Sequence, residues 1–144
     1  MDGPGVGEED AEAYGAERDL SLALFEVAAN ALNLIVLIWQ LDDDLVCFSS
    51  GWARRVHGVE RLTYLDSMEV RALIHPNDHA ELDAAISRSL DQSHTIVTTR
   101  FRIRMPSGWL PVRARCRATA FDEGGRITRI VAMLTEENEA ESIG

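Results

Sequence analysis

From Thr95 to Leu134 apolar and polar positions alternate, the period of two that belongs to an extended strand rather than a helix. Val97, Thr99, Phe101, Ile103 and Met105 share one side, and Arg100, Arg102 and Arg104 share the other. A Pro-Ser-Gly step at 106–108 separates this run from a second one. There Leu110, Val112, Ala114, Cys116, Ala118 and Ala120 alternate with Arg113, Arg115, Arg117 and Thr119. The two runs predict an antiparallel hairpin, with Gly108 at a turn position that other residues occupy only with strain. Asp-Glu-Gly-Gly at 122–125 predicts a second turn, into a third strand over 127–134. Three meandering strands have an apolar face that needs a cover.

Upstream, Leu34 to Leu41 is nearly all apolar, which suits a strand covered on both faces. Asp42–Asp44 is the turn and Leu45–Phe48 the return strand. Ser49 or Ser50 is placed to cap a short helix through Trp52, Val56 and His57 that ends near Gly58. Glu60 to Ile74 predicts one or two short helices, with Asp66 or Ser67 as a cap. Pro76 suits the first turn of a longer helix whose apolar stripe is Leu82, Ala85, Ile86 and Leu90, stopping at 91–93. Before all of this, residues 11–32 are rich in Ala, Leu and Glu. Leu20, Leu24, Val27, Ala28 and Ala31 fall at helical spacing, Phe25 and Leu32 widen the stripe, and Asn30 and Asn33 are exit signals. The expected organisation is a disordered acidic arm over 1–10, a dimerisation or cap helix over 11–33, a domain over 34–134 and an acidic linker over 135–144.

Charge sharpens this division. The net −10 is carried as −7 on residues 1–33 (eight acids, one base), +1 on 34–134 (twelve acids, thirteen bases) and −4 on 135–144 (four acids). A neutral body with acidic ends argues against nucleic acid as a partner. All fourteen bases are arginine, so neither a Schiff-base lysine nor a phosphate-loop lysine is available. No apolar run is long enough to span a membrane and the first residues lack a signal-peptide pattern, so a cytoplasmic location is expected. Cys47 and Cys116 fall inside predicted strands and read as small buried residues.

The run F-R-I-R-M-P-S-G-W-L-P-V-R-A-R-C followed by F-D-E-G-G-R-I-T-R-I-V-A-M-L-T resembles the last three strands of a PAS domain. His75-Pro76-Asn77-Asp78 resembles the H-P-D-D that many PAS domains place before their long helix. Ser49 to Gly58 is similar to the S-x-x-W segment after the second strand. The resemblance covers about 34–134. It implies an α+β fold with a five-stranded antiparallel sheet in the order 2-1-5-4-3 and helices on one face, to which the N-terminal amphipathic helix is added. It also implies a regulatory module that homodimerises and signals through protein contacts. The expected setting is the N-terminal part of a larger bacterial-type signalling protein, a histidine kinase or a cyclic-di-nucleotide enzyme. A small-ligand or haem-binding sensor is the alternative. Where many members end on D-I-T before the output helix, this chain has Met133, Leu134 and Thr135, so only the Thr matches.

Candidate chemistry is sparse. His75 and His79 lie four apart, a spacing at which a metal pair is conceivable, but His75 falls outside the helix or at its edge and no acid completes a ligand motif, so a capping and turn role fits better. His79 is the only histidine on the long helix, and so the candidate axial ligand if haem is held as in some members. The cysteine of adduct-forming flavin members is absent from Tyr64 to Ile74. No cofactor and no catalytic residue are therefore expected, and the chain is not expected to be an enzyme. Trp39, Trp52 and Trp109 could line a pocket or belong to core and interface. The least ordinary feature is the row Arg100, Arg102, Arg104, Arg113, Arg115 and Arg117, since like charges opposite each other destabilise a sheet. It reads either as a solvated face, with stems covering apolar area, or as a surface for acids. Those acids would come from Glu12, Glu17 and Glu26 or from a regulatory protein partner. Leu20, Leu24, Phe25, Val27, Ala28 and Ala31 are the expected homodimer contacts.

Overall fold

A computed structural model describes residues 24, 26–32, 34–92 and 94–137. Residues 24 and 26–31 are helical (α1). The chain continues through β1 (Ile35–Gln40), β2 (Leu45–Phe48), α2 (Ser50–His57), β3 (Thr63–Leu65), α3 (Ser67–Ala72), a 3-10 turn (Pro76–Asp78) and α4 (His79–Asp91). The meander β4 (Val97–Met105), β5 (Gly108–Phe121) and β6 (Ile127–Glu136) completes it. One sheet holds all the strands in the order β3-β2-β1-β6-β5-β4. Without β3 this is the expected five-strand order. The sixth strand is the departure, because Thr63–Leu65 lies where helix was expected. Its β-branched and aromatic residues pair with β2 (Cys47 opposite Tyr64), and helix begins only after Asp66. There a capping box closes: Asp66 accepts from the Glu69 amide at 2.8 Å, and Glu69 accepts from the Asp66 amide at 3.1 Å.

The alternation read in β4 and β5 is the alternation observed. Val97, Thr99, Phe101, Ile103, Val112, Ala114 and Ala118 are buried, and Phe101 and Val112 face each other across the ladder. Phe101, Ile103, Val112 and Ala114 join Ile35, Val46, Phe48, Trp52, Ile74 and Leu134 in the main core beneath the helices, while Ala118 packs with Ile127 and Ile130 in a second cluster. Gly108 takes φ 128°, which explains the glycine in the β4–β5 turn. β6 continues to Glu136, past the expected end at 134, and the Glu137 amide still donates to the Pro111 carbonyl at 3.0 Å.

Both edges of the sheet are blunted. β3 is three residues long. The outer edge of β4 is covered by the segment after α3: the His75 amide donates to the Arg102 carbonyl (2.9 Å), the Arg104 amide donates to the Leu73 carbonyl (2.8 Å), and Ile74 bridges to Ile103.

The strand-to-helix corner at Ser49 departs from the expected cap. Ser49 holds the N-cap position of α2 without a side-chain cap bond; its hydroxyl instead accepts from the Val36 amide at 2.9 Å. The Ser50 amide is satisfied by Glu26 Oε1 at 2.9 Å, so the cap comes from α1. Asn30 Oδ1 accepts from Arg54 Nη2 at 3.1 Å and lies 3.4 Å from Ser50 Oγ. Ala29 is 2 % exposed, which fixes the end of α1 against the domain.

Candidate functional site

A cleft of about 540 Å³ opens between the sheet and the pair α3/α4, within the roughly 300–1,000 Å³ of small-molecule sites. The sheet supplies its floor through Leu37 and Trp39 of β1, Phe101 of β4, Ala114 and Cys116 of β5, and Ile130, Ala132 and Leu134 of β6. These are the inward positions of the period-two pattern, and small Ala and Cys side chains on β5 and β6 leave the space empty. Met68, Val70 and Arg71 of α3 and Leu82, Asp83 and Ile86 of α4 form the roof.

The polar atoms of this wall are taken by neighbours within the chain. Arg71 and Asp83 pair through both terminal guanidinium nitrogens, with Nη2 2.8 Å from Asp83 Oδ2, and this clasp ties α3 to α4. The Arg71 hydrogen bond holds the Asp83 carboxyl below the usual carboxylate range. Asp44 accepts from Trp39 Nε1 at 3.1 Å and from the Ser67 hydroxyl at 2.9 Å. Those bonds, that from Ser67 foremost, lower its pKa. Burial pushes the Cys116 thiol up to about 11, so it stays protonated. Both cysteines are free thiols; Cys47 is buried as expected, and Cys116 is half-buried.

His79 is not part of the cleft wall. Its Nε2 lies 3.0 Å from the Arg71 carbonyl and 2.9 Å from the Ile74 carbonyl, so it serves as a donor to the end of α3. His75 Nδ1 accepts from the Asn77 amide at 3.1 Å, and its ring lies 4.7 Å from that of Trp109. The described wall thus contains no histidine, and His79, the candidate named for haem, is spent on backbone carbonyls. It also contains no Asn or Gln for the hydrogen-bonding edge of a flavin ring. Neither group fits.

The arginine row is divided among several partners. Arg100 and Arg113 stand directly opposite each other, and Glu137 sits between them, 2.7 Å from Arg100 Nε and 3.2 Å from Arg113 Nε. Arg102 is held by Asp78, which accepts from its amide (2.8 Å), Nε (2.9 Å) and Nη2 (2.9 Å); these bonds, led by the side-chain one, lower the Asp78 pKa. Arg104 lies over the Trp109 ring at 5.0 Å. Arg115 and Arg117 make no ion pair among the described residues. Of the acids named for this face, Glu26 is engaged at Ser50 instead, and Glu12 and Glu17 lie outside the described residues. Glu137 was not anticipated, because 135–144 read as a linker; its distance in sequence from both arginines leaves no local signal.

The other sequence-derived positions are placed as follows. Leu24 is 62 % and Val27 67 % exposed, and Ala28 and Ala31 are also exposed. Leu20 and Phe25 lie outside the described residues. On the outer face of the sheet Val36 and Cys47 are buried, whereas Met133 is 43 % exposed; the expected cover over β1 and β6 is therefore incomplete at Met133. Leu134 is in the core and Thr135 is exposed. Trp39 lines the cleft and Trp52 is buried in the core. Among the described residues no helix is long and apolar enough to cross a membrane.

A comparison with curated protein sequences finds no match. Among solved structures, the chain is similar to a sensory box histidine kinase/response regulator from Burkholderia thailandensis E264, with TM-score 0.64 and 18 % identity over 83 % of this chain and 88 % of that one. It is similar to the N-terminal domain of a diguanylate cyclase with PAS/PAC sensor from Marinobacter aquaeolei, with TM-score 0.56 and 10 % identity over 72 % and 94 %. An RNA-binding light-oxygen-voltage receptor gives TM-score 0.56 and 17 % identity, over 76 % of this chain but 33 % of that one. Residues 46–134 match the family model for the PAS fold. With more than half of the chain matched and the sheet order in agreement, the chain belongs to the PAS fold family.

Proposed function

We propose that this is a non-catalytic sensory module that homodimerises and regulates an effector by protein contact, as part of a larger signalling protein such as a histidine kinase or a cyclic-di-nucleotide enzyme. The observation that carries the reading is apolar surface in one chain: Leu24, Val27 and Leu32 on and after α1, and Met133 on the outer face of β6, are exposed. Two copies related by a two-fold axis would bury these positions on each other. Residues 11–33 act in this reading as the dimerisation helix, 34–134 as the sensory domain and 135–144 as the connection to the effector. Arg115 and Arg117, which make no ion pair among the described residues, flank the exposed outer face and suit an acidic partner segment, including residues 1–33 of the second copy. The proteins of similar fold described as histidine kinase and diguanylate cyclase support the setting by analogy of fold. Deleting residues 1–28 and measuring mass by light scattering tests it. A monomer that aggregates is expected; a truncated protein that stays dimeric at undiminished stability refutes α1 as the interface.

The cleft favours a second, compatible reading, that of a small-ligand sensor. β1 and β6 present Leu37, Trp39, Ala132 and Leu134 to the cleft, and Val36, Ile38, Val131 and Met133 to the opposite face. A ligand that repacks one side of these strands acts on the elements that carry the other.

A further inference from the structure

We infer that the cleft takes an uncharged, apolar small molecule, and that Asp83 sets this selectivity by holding Arg71, the one cation in the described wall, in an ion pair. The inference rests on the cleft being a ligand site and adds the class of ligand. Apart from the clasp, Ser67 and the indole nitrogen of Trp39, the side chains of the wall are carbon and sulfur. The donors that could have greeted a polar ligand face Asp44: the indole N–H of Trp39 and the hydroxyl of Ser67 both end on that carboxylate. The Cys116 thiol is protonated and offers no charge. A carboxylate, phosphate or amide that entered would leave its water and find no free partner, a penalty that a hydrocarbon chain escapes and that an alcohol escapes when its hydroxyl stays in water at the opening.

Arg71 and Asp83 have side chains 38 % and 52 % exposed, so the pair stands at the opening rather than in the depth of the cleft. Their joint charge is zero. Each lies on a different helix of the roof, and Arg71 is further held through its own carbonyl by His79 Nε2. Removing the Asp83 carboxylate would leave the guanidinium in place at the rim with no anion, a site for a fatty carboxylate with its chain in the cleft. Asp83 is thus a specificity-determining residue, acting through Arg71.

The test uses the full chain with 1-octanol, octanoate and octylammonium, followed by saturable shifts of the methyl signals of Leu82, Ile86 and Leu134. Octanol is expected to bind, with octanoate and octylammonium at least tenfold weaker. Cys116→Trp, or the milder Ala132→Leu if that variant does not fold, should abolish octanol binding by filling the floor. Asp83→Ala, with Asp83→Asn as its substitute, should raise octanoate affinity at least tenfold while octanol changes little. If octanoate or octylammonium binds the unaltered protein as tightly as octanol, the assigned class is wrong, and if octanoate gains nothing from loss of Asp83, the role given to Asp83 is wrong; in both cases the cleft remains a ligand site. If no probe binds, or binding survives both filling variants, the ligand-site reading falls with it.

Discussion

Ser49 is where the path of the chain depends most on one atom. In the β1–β2 ladder Leu37 faces Phe48, so Val36 and Ser49 form the next pair, and the Ser49 amide duly donates to the Val36 carbonyl at 2.8 Å. The return bond, from the Val36 amide to the Ser49 carbonyl, is not made. That carbonyl has turned to accept from the Trp52 amide at 3.2 Å and starts α2. The Ser49 hydroxyl fills the gap, accepting from Val36 at 2.9 Å, at a position that is 0 % exposed. Ser49→Ala keeps the corner's shape but strands a buried N–H, at a cost of about 1–3 kcal/mol. A loss near 2 kcal/mol lowers the urea midpoint by about 1 M and the melting midpoint by roughly 5–10 °C. Ser50→Ala is the control. The Ser50 amide keeps its bond to Glu26, and only the long 3.4 Å contact to Asn30 is lost, for less than about 1 kcal/mol. Urea titrations of both variants, with hydrogen exchange at the Val36 amide, make the comparison. Equal losses in the two variants, or a Val36 amide still as protected in Ser49→Ala, would refute the reasoning.

Asp78→Asn should lower stability at neutral pH and flatten its acid limb. Because the folded pKa of Asp78 is depressed, its contribution is complete above the unfolded value of about 3.9 and is lost as pH falls through the lower folded value. Urea midpoints at neutral and acidic pH check this, and an acid limb as steep as that of the unaltered protein contradicts it. Glu137→Gln should destabilise the sheet by a few degrees at about 10 mM salt and less at about 0.5 M, since it leaves Arg100 and Arg113 facing each other without an anion. A loss independent of salt would mean that Glu137 acts by packing.

What the sequence declared was whatever repeats with a period. β4 and β5 showed their inward residues because alternation is a property of neighbours in the chain, and Gly108 marked their turn because φ 128° is closed to most side chains. β3 stayed hidden for the opposite reason. Three residues hold less than two periods, and Thr63–Leu65 is a strand only because β2 has a free edge there. The cleft was hidden more deeply still. Ala114, Cys116 and Ala132 read as ordinary inward positions, and it is their small size, brought together from two strands under α3 and α4, that leaves about 540 Å³ open. Arg71–Asp83, Asp44–Ser67 and the Glu137 clamp each join residues 12 or more positions apart, with no helical or strand spacing to announce them. The arginine row shows how this limit misleads. Its repulsion was legible as a problem, because Arg100 and Arg113 had to face each other once the hairpin register was set. The sequence held two acidic ends that could answer it, and the residue found between the arginines is Glu137. Only the continuation of β6 beside β5 brings Glu137 there, and that choice is made by backbone pairing rather than by charge.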